Sequence, residues 1–396
     1  MRYISTRGGA DPVSFTQALV SGPAPDGGLY QPETIPGLPD GWQSWSYQEA
    51  VAGSLELYGA SDPRAAVERA AGRFHHSEIA PLVEVGDRVV LELFWGPTLS
   101  FKDHALQVLA GLLEREVNEG TALGATSGDT GSAAIEAFRG IPGLRVVMLY
   151  PEGMVSDFQR RQMTTVPDAN VIAVAVRGTF DDCQALVKQA FQDHLGLLAV
   201  NSINWARIAA QTGYYLDAAA RIGEPFDVSV PVGNFGNAYS CWLAKQMGAP
   251  ITKITLANNA NRALFDLVSK GTVTEAAVVP TIAPAMDIRV PSNLERLDAG
   301  LTDAFEAGWS SDEEISSTIA AVEATHGYRL DPHTATAWRA GGETLSDRPQ
   351  MVVGTAHPAK FDETVSPPEW FPPLQDMEER IVVIDPEPSA LAPLIR

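Results

Sequence analysis

Short apolar runs recur between residues 88 and 385, separated by stretches with apolar positions at helical spacing. RVVLELFW (88–95), TALGAT (121–126), LRVVMLY (144–150), NVIAVAV (170–176), LAVNSI (198–203), DVSVPVG (227–233), KITLANN (253–259), MVVGTA (351–356) and RIVVID (380–385) have strand length. Several are apolar without alternation, which suits strands buried on both faces of a parallel sheet. SAAIEAF (132–138) reads as helix. The spacing also predicts a helix in MVSDFQRRQMTT with Ser156 at its cap. A second opens after Thr179, with Asp181 and Asp182 near its positive end, and a third runs from about Asn204 to Arg221. Strands alternating with helices imply βαβ units, right-handed crossovers and an α/β fold class. Residues 1–60, rich in Gly, Pro and Trp, read as turns and short helices, an N-terminal elaboration.

A chain of 396 residues exceeds one comfortable core. Two open α/β domains with a cleft between them are expected, divided as 1–95 (N-terminal segment on the large domain), 96–205 (small domain) and 206–396 (large domain). The formal net charge is −21, without a dense Lys/Arg run, which argues against nucleic acid as a partner. No apolar stretch approaches the roughly 18 residues that span a bilayer, so no membrane partner is expected. The polar, Gly-rich start does not read as a secretory signal. Cys183 and Cys241 are too few for a disulfide framework and lack zinc-ligand spacing. A cytoplasmic protein without a metal is the expectation.

Two Gly-rich strand-to-helix turns carry the candidate chemistry: GATSGDTGS (124–132) and VGNFGN (232–237). Such a turn aims backbone N–H groups at an anion from the positive end of a helix. Neither is a Walker A loop or a dinucleotide fingerprint, so the anion would be a monophosphate on a cofactor or small substrate. Glycines that merely tighten turns remain the alternative. Of six lysines, only Lys102 lies in a long apolar context, LELFWGPTLSFKDHALQVLAGLL. Desolvation lowers an amine's pKa and makes it a nucleophile toward aldehydes. A snorkelling lysine, or one paired with Asp103, is the bland reading. An activated lysine with phosphate cups suggests pyridoxal 5'-phosphate.

FWGPTLSFKDHALQ, GATSGDTGSAA, DDCQALVKQAF, NSINWARIAAQTGYY, VSVPVGNFGN, APAMDIRVPSN and GTAHPAKF together resemble the threonine synthase family, of fold type II among pyridoxal-phosphate enzymes. The opening YISTRGGADPVSFTQALVSGPAPDGGLYQPE resembles the N-terminal segment of its extended bacterial members. The resemblance runs from about residue 2 to about residue 362. It implies conversion of O-phospho-L-homoserine and water to L-threonine and phosphate. It implies that Lys102 is the Schiff-base lysine, that Gly233, Asn234, Phe235, Gly236 and Asn237 form the cofactor phosphate cup, and that Thr355 meets the pyridine nitrogen. Thr126, Ser127 and Thr130 would hold the substrate carboxylate; Asn201, Ser202 and Arg207 would hold its phosphate. Asp129 falls where many relatives of this fold type have Asn against the cofactor's phenolic oxygen, and Val232 where some have Ser. His104 and His357 are auxiliary candidates, and a monomer is the expected state. Two rival readings stay open: a fold-type-II dehydratase, which needs no second phosphate site, and a non-catalytic phosphate-metabolite binder, which needs no Lys102.

Overall fold

The computed structural model describes residues 1–194, 196–273, 277–297, 304–342 and 347–395. The strands are β1 (Tyr3–Ser5), β2 (Tyr30–Pro32), β3 (Leu82–Val85), β4 (Arg88–Glu92), β5 (Gly120–Ala125), β6 (Leu144–Pro151), β7 (Val171–Val176), β8 (Leu197–Ala199), β9 (Phe226–Pro231), β10 (Ile251–Asn258), β11 (Glu306–Trp309), β12 (Gln350–Gly354) and β13 (Val382–Ile384). The helices are α1 (Phe15–Ser21), α2 (Tyr47–Leu57), α3 (Arg64–Ala71), α4 (Lys102–Glu116), α5 (Asp129–Phe138), α6 (Asp157–Thr164), α7 (Phe180–Asp193), α8 (Trp205–Ile222), α9 (Gly236–Met247), α10 (Ala263–Lys270), α11 (Asp312–His326), α12 (Pro332–Gly342) and α13 (Pro388–Leu391).

Among the described residues β1 and β2 form a two-stranded sheet of their own, and two larger sheets hold the other strands. One has the order β11-β10-β9-β12-β4-β3 and is parallel except for β3, which runs antiparallel to β4. The other, β13-β7-β6-β5-β8, is parallel throughout. Every residue of β9 is buried, the polar Asp227 and Ser229 as well as Val228 and Val230. Helix boundaries follow local chemistry. Ser156 caps α6 and Thr179 caps α7, each closing a capping box with Gln159 and Asp182 respectively. Asn204 caps α8 through the N–H of Ala206, 3.1 Å away.

Helix α8 is the central prop, buried along most of its length between α2, α4 and α9. A Cβ at Gly213 would lie 2.5 Å from the Val51 Cα, so the glycine is what lets α2 approach this closely. The N-terminal elaboration is more regular than turns and short helices. It contains the antiparallel β1–β2 pair and the eleven-residue α2. That pairing joins residues some 27 positions apart, which local composition does not reveal.

The structure departs from the expected division in two places. Residues 82–92 supply two strands of the six-stranded sheet rather than only packing on it. β13, nominally in the large unit, closes one edge of the five-stranded sheet by pairing with β7. An apolar strand segment does not say which sheet edge it will complete; hydrogen-bond register decides that.

Candidate active site

The cleft residues gather at the carboxyl ends of parallel strands, where open α/β sheets place ligands. Beyond β9 comes the Gly233–Phe235 loop and then α9; beyond β5, the Thr126–Gly128 loop and then α5; beyond β12, Thr355. Lys102 begins α4 beyond β4. A bridge between Ser100 and Ala356, with Phe101 N–H donating to the Thr355 carbonyl at 2.9 Å, fixes the Lys102 turn to the end of β12. The space between, counting its solvent-open mouth, is about 1240 Å³. All fourteen residues singled out in the sequence line it: Lys102, Thr126, Ser127, Asp129, Thr130, Asn201, Ser202, Arg207, Gly233, Asn234, Phe235, Gly236, Asn237 and Thr355.

The second Gly-rich loop is built for an anion. Phe235 holds a left-handed backbone, φ 64°, immediately before α9. The first N–H groups of α9 have no intrahelical partner and carry the positive end of the helix. A Cβ at Gly233 would lie 2.4 Å from the Ala285 carbonyl oxygen, so only glycine fits. The Asn237 Oδ1 accepts from Tyr214 and Tyr215, at 2.5 and 2.8 Å. That fixes the amide's orientation and leaves its buried Nδ2 without a partner at the cavity wall.

A second anion-seeking group lies elsewhere in the cavity. Arg207, expected at a helix surface if it were structural, is 2% exposed. Its Nη1 donates to the Val200 carbonyl at 2.8 Å, and its Nε has no partner among the described residues. Burial lowers its pKa to about 10. Asn201, whose buried Oδ1 is also unpartnered, and Ser202 adjoin it on the loop before α8.

Lys102 keeps its amine at the cavity, 3.3 Å from Asp129 Oδ2. Burial lowers its pKa, and Lys360 and Arg207 push the same way against the opposing pull of Asp129. The alternative pairing with Asp103 does not form. Asp103 turns to Thr98, accepting from its N–H and hydroxyl at 2.8 and 2.7 Å, and burial raises its pKa to about 7. Asp129 is buried. Burial alone would raise its pKa, but Lys360 and Lys102 together hold it well below the usual carboxylate range. A carboxylate at this position is therefore matched to cations rather than left to repel a phenolate. In the first Gly-rich loop, Thr126 Oγ1 accepts from the N–H groups of Gly128 and Gly131, at 2.9 and 2.8 Å, and so shapes the turn as well as lining the cavity.

The histidine expectations shift. His104 lies outside the cavity wall, with Nδ1 on the Tyr47 hydroxyl at 2.6 Å, packed against Phe74 and Tyr214. His357 caps a short 3₁₀ turn and is also outside. Both follow from backbone direction, which sequence blocks do not encode. His333, passed over in the sequence, does line the cavity. Its Nδ1 meets Asp331 at 2.8 Å and its Nε2 accepts from the Ala285 N–H at 3.2 Å, so the ring bonds as a neutral tautomer. The DPH run at the start of α12 was the available signal.

The N-terminal segment reaches the same loops. The Arg296 guanidinium donates to the Tyr30 carbonyl, to the Ile203 carbonyl at 2.6 Å and to Asn293 Oδ1, and lies over the Trp205 ring. Asn293 in turn donates to the Asn234 carbonyl at 3.0 Å, inside the phosphate loop. Asn204 donates to the Leu19 carbonyl at 2.9 Å.

A nucleophilic amine facing a backbone anion cup across a strand-end cleft fits pyridoxal phosphate, and the unpartnered Asn237 amide and the Gly233 cradle fit its phosphate in particular. Residues 83–353 match the family described as pyridoxal-phosphate dependent enzyme, which makes the chain a fold-type-II enzyme of that class. Residues 2–67 match the threonine synthase N terminus. Threonine synthase of Pseudomonas aeruginosa is 39% identical, the match covering 98% of this chain and 96% of that one. A crystal structure of PLP-bound threonine synthase from Brucella melitensis superposes with a TM-score of 0.93 at 37% identity, over 100% of this chain and 98% of that one. For the Escherichia coli threonine synthase structure the values are 0.91, 33%, 100% and 99%. The chain belongs to the threonine synthase family.

Proposed function

We propose the following division of labour for the conversion of O-phospho-L-homoserine and water to L-threonine and phosphate. Lys102 Nζ is the covalent anchor of pyridoxal phosphate. The Gly233–Gly236 backbone, the start of α9 and Asn237 Nδ2 hold the cofactor's phosphate, and Thr355 meets its ring nitrogen. When bound, the cofactor supplies an electron sink for negative charge developing on substrate carbons. With its amine free, Lys102 would take the proton from the substrate Cα, a task suited to a base whose pKa burial has lowered. Thr126, Ser127 and Thr130 hold the substrate carboxylate. Arg207, Asn201 and Ser202 hold its phosphate, for which a desolvated guanidinium is well matched.

The observation that carries this reading is that one cavity holds two separate anion-seeking sets, the start of α9 and the Arg207 group, with Lys102 in the same cavity. A dehydratase has use for only one. A non-catalytic binder has no use for the amine. Borohydride reduction of the cofactor-loaded protein, followed by peptide mapping, should place the label on Lys102. A label elsewhere refutes the anchor assignment, and failure to release phosphate from O-phospho-L-homoserine refutes the substrate.

The protein is further proposed to act in the cytoplasm as a monomer. In support of the compartment, Cys183 and Cys241 are buried free thiols, in keeping with reducing conditions. Sedimentation of the purified protein tests the oligomeric state.

A further inference from the structure

Lys360 stood out in no way in the sequence, yet it is among the largest fully buried side chains. Its ammonium has three hydrogens and three acceptors: Asp129 Oδ1 at 3.1 Å, the Thr98 carbonyl at 2.7 Å and Gln162 Oε1 at 2.8 Å. That saturated geometry is that of a charged amine held rigidly. Gln162 also donates to Thr98 O at 3.0 Å, and Gln159 donates to Asp129 Oδ1 at 2.9 Å, so the surroundings of Lys360 are themselves fixed. Asp129 thus divides its two oxygens between two lysines. Oδ1 faces Lys360, and Oδ2 faces Lys102 at 3.3 Å. Lys102 has no such cage: Asp129 is its hydrogen-bond acceptor and its amine borders the cavity.

We propose that Lys360 is a positioning residue for the reaction: by claiming Asp129 as its own counter-ion, it leaves Lys102 as the amine of the trio that gives up its proton. One carboxylate cannot neutralise two ammonium groups, and Lys360 is the one whose three hydrogens all meet acceptors. Other charged or titratable groups face the trio: Arg207 from α8, His333 from α12 and Asp103 from the first turn of α4. Arg207 acts on Lys102 in the same sense as Lys360. His333 bonds to Asp331, and Asp103 to Thr98. All three persist in the variants below, so differences between variants report Lys360.

The proposal rests on Lys102 as the cofactor's anchor. The test is a pH titration of the bound cofactor's absorbance in full-length, cofactor-loaded protein, with borohydride mapping run in parallel. Lys360→Met removes one unit charge that lies across the Asp129 carboxylate from the Lys102 nitrogen. In an effective dielectric of about 20 this raises the absorbance midpoint by about one to two pH units. Lys360→Arg, which keeps the charge, should stay close to wild type. Asp129→Asn should move the midpoint down. An unmoved midpoint in Lys360→Met, with the label still on Lys102, overturns the proposal while sparing the anchor assignment; a label elsewhere overturns the anchor assignment. If Lys360→Met does not fold, Lys360→Gln decides: a raised midpoint supports the proposal and an unmoved one overturns it.

Discussion

Arg207→Met is the substitution whose consequences separate a ligand-binding arginine from a structural one, because the two roles predict stability changes of opposite sign. In the ligand-free protein the guanidinium is buried, bonded to one carbonyl, with its Nε unpartnered. Burial lowers its pKa from 12.5 to about 10. At 1.36 kcal/mol per pH unit, that fall corresponds to about 3 kcal/mol of unfavourable electrostatics stored until an anion arrives. Methionine fills similar volume without charge but leaves the Val200 carbonyl without its donor, a loss of about 1 kcal/mol. The net expectation is a ligand-free variant as stable as wild type or more stable by about 1–2 kcal/mol. Charge-assisted bonds to phosphate are each worth about 1.5–3 kcal/mol, so kcat/KM for the phosphorylated substrate should fall by about 10- to 100-fold. Urea unfolding of ligand-free protein, paired with steady-state phosphate release, measures both. A variant destabilised by more than about 2 kcal/mol, with kcat/KM unchanged, would refute the assignment and make Arg207 an ordinary core prop.

Two further outcomes are expected. Burial holds the His104 imidazole at a pKa of about 3, below its ordinary 6.5, so the unfolded chain takes up the proton first as pH falls. Stability from this group is complete above about pH 6.5 and declines toward pH 3, the loss at pH 5 being about 2 kcal/mol. The urea midpoint should drop between pH 7 and pH 5, and His104→Asn should lose that part of the slope; identical slopes would contradict it. Arg296→Ala strips donors from the Tyr30 and Ile203 carbonyls and from Asn293. Because those groups connect to both anion loops, cofactor release should quicken and KM rise together, and a change in only one would argue against a shared tether.

Much of this was legible in the residues. Each of the nine runs overlaps a strand, and for β6, whose residues are nearly all buried, the cause is burial on both faces, which demands an almost unbroken apolar segment. Ser156, Thr179 and Asn204 announced their helices because side-chain capping is a local interaction. The fourteen cavity residues came from Gly-rich turns, an apolar-flanked lysine and ordered family blocks. What stayed hidden depends on contacts distant in sequence. The β1–β2 pair and the membership of β13 are set by pairing over long separations. Lys360 follows a proline-containing turn with no periodicity to mark it as buried, and its partners Thr98, Asp129 and Gln162 lie more than 190 residues earlier. His333 is placed by Asp331, whose carboxylate both bonds the start of α12 and holds the imidazole.

The β13–β7 pairing also bears on how the molecule is made. Four strands of the smaller sheet are synthesised by Ala199, but the strand that covers the outer side of β7 is Val382–Ile384, and Leu391 and Ile395 complete the apolar layer under α7. At ribosomal rates of about 5–20 residues per second, an interval of about 10 to 40 seconds separates β7 from its neighbour. Throughout that interval a run of Val, Ile and Ala presents open backbone to solvent, the kind of edge that recruits a stray strand. A nascent chain stalled before Val382 is therefore the form of this protein most in need of a chaperone.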